Sequence, residues 1–477
     1  MIIQNTITSL FHFMPEIILS ISSMVILLIG TLEFLKKYVF QLTILSILLA
    51  SSFSYMVYPE TALSLFNASI VKNDITEFFK YICYFIFLIQ VLISRKYLNI
   101  RKLDSGEFYS LLIFALIGCL IIISADNLIV LFLGIELSSL SLYSLIALDK
   151  SNSLSSEAAI KYFVLSIIAS AIMLFGFSYL YGLTNSLSIS EIIVFSNTNK
   201  ISNLYLFSYI LIFIGVAFKF AVAPFHMWLP DVYEGSPLPV TNFISSIPKI
   251  AFFVLAYKFL DGNNIMQIDN FHNIFLFLGI FSVIVGNLYA LAQKKIMRLI
   301  AYSGVANSGF IFLALYAAIE YNFSVSAFYV ASYSFATVSL ISLVTYISSK
   351  KYNLVYIKDF KGLSASLGFI SVLFMVTLLS TAGIPLTVGF YAKYLVIDSL
   401  ITKDLILVAT LVILMTVVGL YYYLRIIWFM FFEPGINSLV NRGDKLSVLI
   451  LSFIPAIIIM VFLFPEPIFK YIFNILT

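Results

Sequence analysis

The sequence predicts an all-α polytopic membrane protein of about 14 transmembrane helices, with two inverted five-helix repeats that each contain one broken helix. Three observations carry this reading. The chain has 477 residues, of which 62% are hydrophobic and only 10% charged, whereas a soluble domain carries about 25% charged residues. Apolar runs of membrane-spanning length recur from end to end with short connections between them. Two of these runs are interrupted by Pro and Gly at membrane depth, and each carries an internal lysine, Lys219 or Lys393.

The runs fall near 10–32, 39–58, 78–94, 108–123, 127–148, 158–182, 204–229, 239–259, 273–292, 299–319, 322–348, 366–400, 404–430 and 446–465. The start, MIIQNTITSLFHFMPEII, lacks a basic n-region and reads as the beginning of the first span rather than a cleavable signal. The longest polar connections, 59–77 and 183–203, are too short for a soluble domain. The run 366–400 would be about 50 Å long as one helix, too long for one crossing and too short for two. Gly383, Pro385 and Gly389 inside it imply a break, as Pro224 does in 204–229. The placement of the breaks suggests a three-helix N-terminal segment over 1–107 and a first repeat over 108–260, spans four to eight. A second, inverted repeat over 273–430, spans nine to thirteen, and a C-terminal span over 446–477 complete the division.

Loop charge sets the orientation. Connections after odd-numbered spans hold most of the cations, among them Lys36, Lys37, Arg95, Lys96, Lys294, Lys295, Arg298, Lys350, Lys351, Arg442 and Lys445. Connections after even-numbered spans, with the ends, hold only Lys72, Lys80, Lys200, Lys258, Lys403 and Lys470. The positive-inside rule places the first set in the cytoplasm and both termini outside.

The stretch Ile212–Leu255 organises the rest: two apolar helical runs flank a Pro- and Gly-rich break and carry Lys219 and Lys249. A charged side chain at mid-membrane costs about 2.5–3.5 kcal/mol on insertion scales, and function is its default reading. Backbone freed by the break needs protein or water around it. Glu136 sits near the middle of its span, where the alternative role is a buried pair that fixes packing. Lys161, one turn into its span, either joins the same charge row or snorkels to the interface beside Glu157. His226, just past Pro224, either relays a proton or caps freed carbonyls. Arg425, amid aromatics, reads as an interfacial anchor, and His12 and His272 as interfacial residues.

Other chemistries find little support. Cys83 and Cys119 are the two cysteines, short of the about four that an iron–sulfur cluster needs. The sequence has no GxGxxG or GxxxxGK[ST] motif, and its three histidines are far apart. No cofactor or metal is expected on this chain, and no nucleic-acid partner.

The segments AVAPFHMWLPDVYEGSPLPVTNFISSIPKIA, QKKIMRLIAYSGVANSGFIFLAL and LLSTAGIPLTVGFYAKYLV resemble the subunit N family of bacterial respiratory complex I, the proton-pumping NADH–quinone oxidoreductase. The resemblance runs across the whole chain. It implies a fourteen-helix antiporter-like channel with a proton pathway through Glu136, Lys161, Lys219, Lys249 and Lys393. NADH, FMN, iron–sulfur clusters and quinone would be handled by other subunits. The implied partners are the other membrane subunits, especially antiporter-like neighbours, and the lipid bilayer. The implied location is the bacterial inner membrane, with the termini on the periplasmic side, or an organellar inner or thylakoid membrane. A multi-subunit cation/proton antiporter and a structural membrane spacer stand as rival readings. Na⁺ dependence without NADH dependence would mark the first, and charge neutralisation that impairs only assembly would mark the second.

Overall fold

The computed structural model describes residues 2–59, 61–321, 323–348, 354–435 and 445–476. Three of the loop cations used for orientation, Lys350, Lys351 and Arg442, lie outside the described residues, as do Met1 and Thr477.

The helices, in chain order, begin with α1 (Ile2–His12), α2 (Met14–Thr31), α3 (Val39–Met56), α4 (Asp74–Arg101), α5 (Gly106–Ser124), α6 (Leu128–Ile146) and α7 (Ser153–Thr184). There follow α8 (Ile189–Thr198), α9 (Asn203–Phe220), α10 (Trp228–Gly235), α11 (Leu238–Leu260), α12 (Asp269–Ala292), α13 (Ile296–Tyr321) and α14 (Ser324–Ser348). The chain closes with α15 (Leu363–Ser366), α16 (Gly368–Ala382), α17 (Val388–Thr402), α18 (Ile406–Phe431), α19 (Lys445–Leu463) and α20 (Pro465–Leu476). Among the described residues, 13 helices are long and apolar enough to cross a membrane, and Gly368–Ala382 is a shorter apolar helix. With α16 and α17 as the halves of one broken span, this agrees with the expected count.

Local chemistry explains where the boundaries differ from expectation. Helix α4 starts before residue 78 because Asn73 and Thr76 form a reciprocal capping box, with bonds of 2.9 and 3.0 Å. Lys80 lies inside α4 and Lys258 inside α11, so neither is a loop cation for the orientation. The connection 59–77 contains an antiparallel hairpin, β1 (Leu63–Leu65) and β2 (Ile70–Lys72), with Leu63 opposite Lys72. In 183–203, Ser188 caps the short helix α8 by accepting from Glu191 N.

The chain forms two compact units, one of Met1–Lys219 with Ile247–Phe271, the other of Phe220–Ser246 with His272–Thr477. In the first unit, small residues let backbones touch, the usual device where no hydrophobic force drives helices together. A Cβ on Gly30 would lie 2.5 Å from Gly106 Cα, which locks α2 on α5. A Cβ on Gly118 would lie 2.6 Å from Ser138 N, which does the same for α5 on α6. In the second unit α14 is the central helix: it packs against α13, α16, α17 and α19 and is buried along almost its whole length.

Candidate functional site

Helix α9 ends at Phe220, and the backbone crosses 221–227 without helical structure before α10 begins. Ala221 takes a left-handed φ of +57°, so the helix stops before Pro224. Lys219 is therefore the penultimate residue of α9, not buried in the middle of a helix as the apolar run suggested. A helix C-terminus is a favourable place for a cation. The Lys219 ammonium donates to Ser139 Oγ on α6 at 2.7 Å and to Ser166 Oγ on α7 at 2.8 Å. It lies 5.4 Å from the Tyr162 ring centroid and 6.0 Å from that of Phe252. Glu136, one turn before Ser139 on α6, acts on Lys219 through its charge. The buried Glu136 Oε1 accepts no hydrogen bond from the described residues. Carboxylate and ammonium thus share one region, while the direct bonds to the lysine come from neutral hydroxyls.

Lys249 lies in α11 at 2% exposure. Pro248 inside that helix has no N–H, so the carbonyl four residues back, at Ile244, loses its ladder donor. Lys161 is placed differently: it pairs with Glu157 Oε1 at 2.6 Å on the surface of α7, with side chains 41% and 57% exposed. The structure brings together Glu136 and Lys219, and leaves Lys161 on an outer face.

The second break has another chemistry. Gly383, at φ +84°, ends α16, and its N–H bonds Leu379 O at 3.0 Å. Lys393, from α17, donates to the carbonyls of Thr381 and Ala382, both at 2.9 Å. Beside it lies a cavity of about 10 Å³, one water's worth, lined by Asn307, Ser332, Ser380, Thr381 and Lys393 among others.

At the first break the second unit satisfies freed backbone: Ser308 Oγ donates to Phe220 O at 2.7 Å, and Ala223 N donates to Ser282 Oγ at 2.9 Å. His226 is 9% exposed, bonds the backbone of Pro224, and lies 6.3 Å from the Tyr302 ring centroid. Its Nδ1 is buried with no partner among the described residues.

Sequence reasoning missed a clamp between α10 and α13. Arg298 donates to Asp231 Oδ1 at 2.8 Å and Glu234 Oε2 at 3.0 Å, and Lys295 also pairs with Glu234. The signal was present as a matched three-residue spacing, Asp231/Glu234 facing Lys295/Arg298. Two assignments change. Arg425 is not a lipid anchor: its guanidinium donates to Leu291 O at 3.4 Å and Gln293 O at 2.7 Å, capping the end of α12. His272 is buried, bonds Tyr316 O and stacks on the Tyr316 ring, because the polar end of α13 offers it a carbonyl.

Broken helices that present lysines to helix ends define the antiporter-like class of membrane subunit. Residues 125–419 match the family described as NADH:quinone oxidoreductase/Mrp antiporter, TM. The chain is 34% identical to NADH-quinone oxidoreductase subunit N of Ruthia magnifica subsp. Calyptogena magnifica, with 97% of each chain covered. It is 36% identical to that of Coxiella burnetii, with 88% and 89% covered. A chain of respiratory complex I from Thermus thermophilus with bound aureothin superposes with a TM-score of 0.81 at 27% identity, covering 96% and 98%. A chain of the Mrp complex from Dietzia sp. DQ12-45-1b shares the fold, with a TM-score of 0.81, 16% identity and coverage of 99% and 97%. The chain belongs to the NADH-quinone oxidoreductase subunit N family, within the wider NADH:quinone oxidoreductase/Mrp antiporter membrane family.

Proposed function

We propose that this chain is a proton-translocating membrane subunit of an NADH–quinone oxidoreductase. Electron transfer from NADH to quinone takes place on other subunits, which hold the flavin and the iron–sulfur clusters; this chain converts their signal into proton movement. The observation that supports this best is the Lys219 ammonium, held by Ser139 and Ser166 with the Glu136 carboxylate in electrostatic reach.

A nearby opposite charge favours a lysine's charged form, and desolvation opposes it. With the carboxylate close, Lys219 keeps its proton. When the carboxylate is drawn off, by Lys161 or by a neighbouring subunit, the proton is released. Serine hydroxyls suit this task because each accepts from the ammonium and donates onward. The proton then passes to Lys249, with His226 as a relay on the way, and leaves by Lys393. Moving one charge against 100 mV costs about 2.3 kcal/mol, so one charge rearrangement in a low-dielectric site is large enough to drive the step.

In this reading spans four to eight and nine to thirteen are the two inverted repeats, and the antiporter-like subunits are neighbours in the bilayer. The membrane is the bacterial inner membrane, with both termini on the periplasmic side. The test is Lys219→Met in the assembled complex in sealed vesicles, followed with NADH, quinone and a pH-sensitive dye. Proton release per electron should fall; an unchanged ratio would refute the reading. Cation exchange that ignores NADH would instead indicate a free-standing antiporter.

A further inference from the structure

Outside the pathway just described, the first unit buries a second set of charges. Glu16 on α2, Lys72 at the end of β2, and Glu77 and Lys80 on α4 are all fully or almost fully buried. Lys80 Nζ is 2.5 Å from Glu16 Oε1 and 3.9 Å from Glu77 Oε1, and Lys72 Nζ is 3.8 Å from Glu77 Oε1. Ser54 Oγ donates to Glu77 Oε2 at 2.6 Å, and Lys72 Nζ donates to Val57 O at 2.9 Å. Glu77 Oε1 accepts no hydrogen bond from the described residues. The hydroxyls of Tyr81 and Tyr84 border the group, Tyr81 beside Ser54, and the buried Tyr84 oxygen is likewise without a hydrogen bond among the described residues.

Such a quartet is a poor way to hold helices together, since apolar residues of the same volume usually serve as well or better. It also lies within electrostatic reach of a further buried lysine on α11, Lys258. Lys258 follows Lys249 on α11 by nine residues, about 13.5 Å along the helix. The Lys258 amine donates to Ala125 O at 2.8 Å and is acted on by the charges of Asp126 and Lys80. Asp126 is held by Ser188 and Ser190 at 2.8 and 3.0 Å, and its N–H bonds Ser69 O at 2.9 Å, which ties it to the hairpin that carries Lys72. Beyond Lys72 stands half-buried His12, which senses the Lys72 charge and bonds the Val57 backbone. Burial holds the Lys72 ammonium below the ordinary lysine range, against the pull of Glu77.

We propose that Glu16, Glu77, Lys72 and Lys80 form a second proton-holding station, loaded from Lys249 through Lys258 and emptied through His12 at the membrane face where the hairpin lies. At rest the quartet is neutral: two carboxylates, two ammoniums. A proton arriving from Lys258 lands on Glu77 Oε1 and leaves the quartet at +1. Its departure by way of His12 restores neutrality, so one proton enters and one leaves per cycle. The first unit then has its own outlet and need not pass every proton to Lys393. This rests on the proton-translocating reading above.

The test compares Glu77→Gln with Lys219→Met, each in the whole complex in sealed vesicles with NADH, quinone and a pH-sensitive dye. Proton release per electron in Glu77→Gln should fall, by less than in Lys219→Met because the Lys393 exit remains. If Lys219→Met lowers the ratio and Glu77→Gln does not, the station is overturned and the translocating function stands. If neither lowers it, the function itself fails. Should Glu77→Gln not assemble, Lys258→Gln decides, because that amine bonds only a backbone carbonyl among the contacts described: a lowered ratio that Lys258→Arg, which keeps the charge but does not release its proton, fails to restore supports the route, and an unchanged ratio, or one that arginine restores, overturns it.

Discussion

Lys219 and Lys393 stand at the two breaks and are held in opposite ways. Both amines meet the C-terminal end of a half-helix, where the backbone carries partial negative charge. Lys219 is held by side chains: two serine hydroxyls, with a carboxylate acting from α6. Lys393 is held by the backbone carbonyls of Thr381 and Ala382. Hydroxyls rotate and carboxylates move, whereas carbonyls at a helix end stay where the helix puts them. The first site has partners that can rearrange; the second offers a constant environment beside a small polar cavity. In the proposed pathway this makes Lys219 the switch and Lys393 a fixed relay.

The largest expected effect concerns the carboxylate. Glu136→Gln should lower proton release per electron as far as Lys219→Met does, and the double variant should be no worse than either, since coupled residues are not additive. Additive losses would show that the two work separately.

Next comes packing at the second break. A Cβ on Gly389 would collide with Ser380 O, whereas one on Gly182 meets nothing within 4 Å. Gly389→Ala should cost about 1–3 kcal/mol through overpacking, read as a lower temperature of inactivation, and Gly182→Ala, in open space on helix α7, should leave that temperature unchanged or raise it slightly. Equal behaviour would contradict the rigid second site.

The hydroxyls sharpen the contrast further. Bonds to a charged group are worth about 1.5–3 kcal/mol each, so Ser139→Ala with Ser166→Ala should depress pumping measurably. Thr381→Ala should not, because Lys393 uses that residue's carbonyl. The smallest effect belongs to Glu157→Gln: an exposed i,i+4 pair with Lys161 is worth about 0.3–0.5 kcal/mol, and stability measured by heat inactivation should barely move.

Much of this was legible in the sequence. Apolar run length gave the spans, and Pro224, Gly383 and Gly389 marked the breaks, because membrane interiors punish freed backbone. Glu136, Lys219, Lys249 and Lys393 stood out because charge is rare in such runs. The illegible parts depend on contacts between distant segments. Glu16 and Lys80 are 64 residues apart, and each lies near a span end where a charge is ordinary; only the folded chain brings them together and buries them. Arg425 looked like an anchor because the carbonyls it caps, at Leu291 and Gln293, are more than 130 positions away. Lys161 shows the reverse: a charge in an apolar run that the fold leaves on the outside.

The contact of Gly30 with Gly106 has a mechanical consequence. It pins α2 to α5 near one end, while Glu16 rides near the other, 14 residues or about 21 Å away. That close approach sets the point about which any tilt of α2 on α5 would turn. A tilt of about 3° moves Glu16 by about 1 Å over that length, enough to stretch a charged contact without unwinding a single turn.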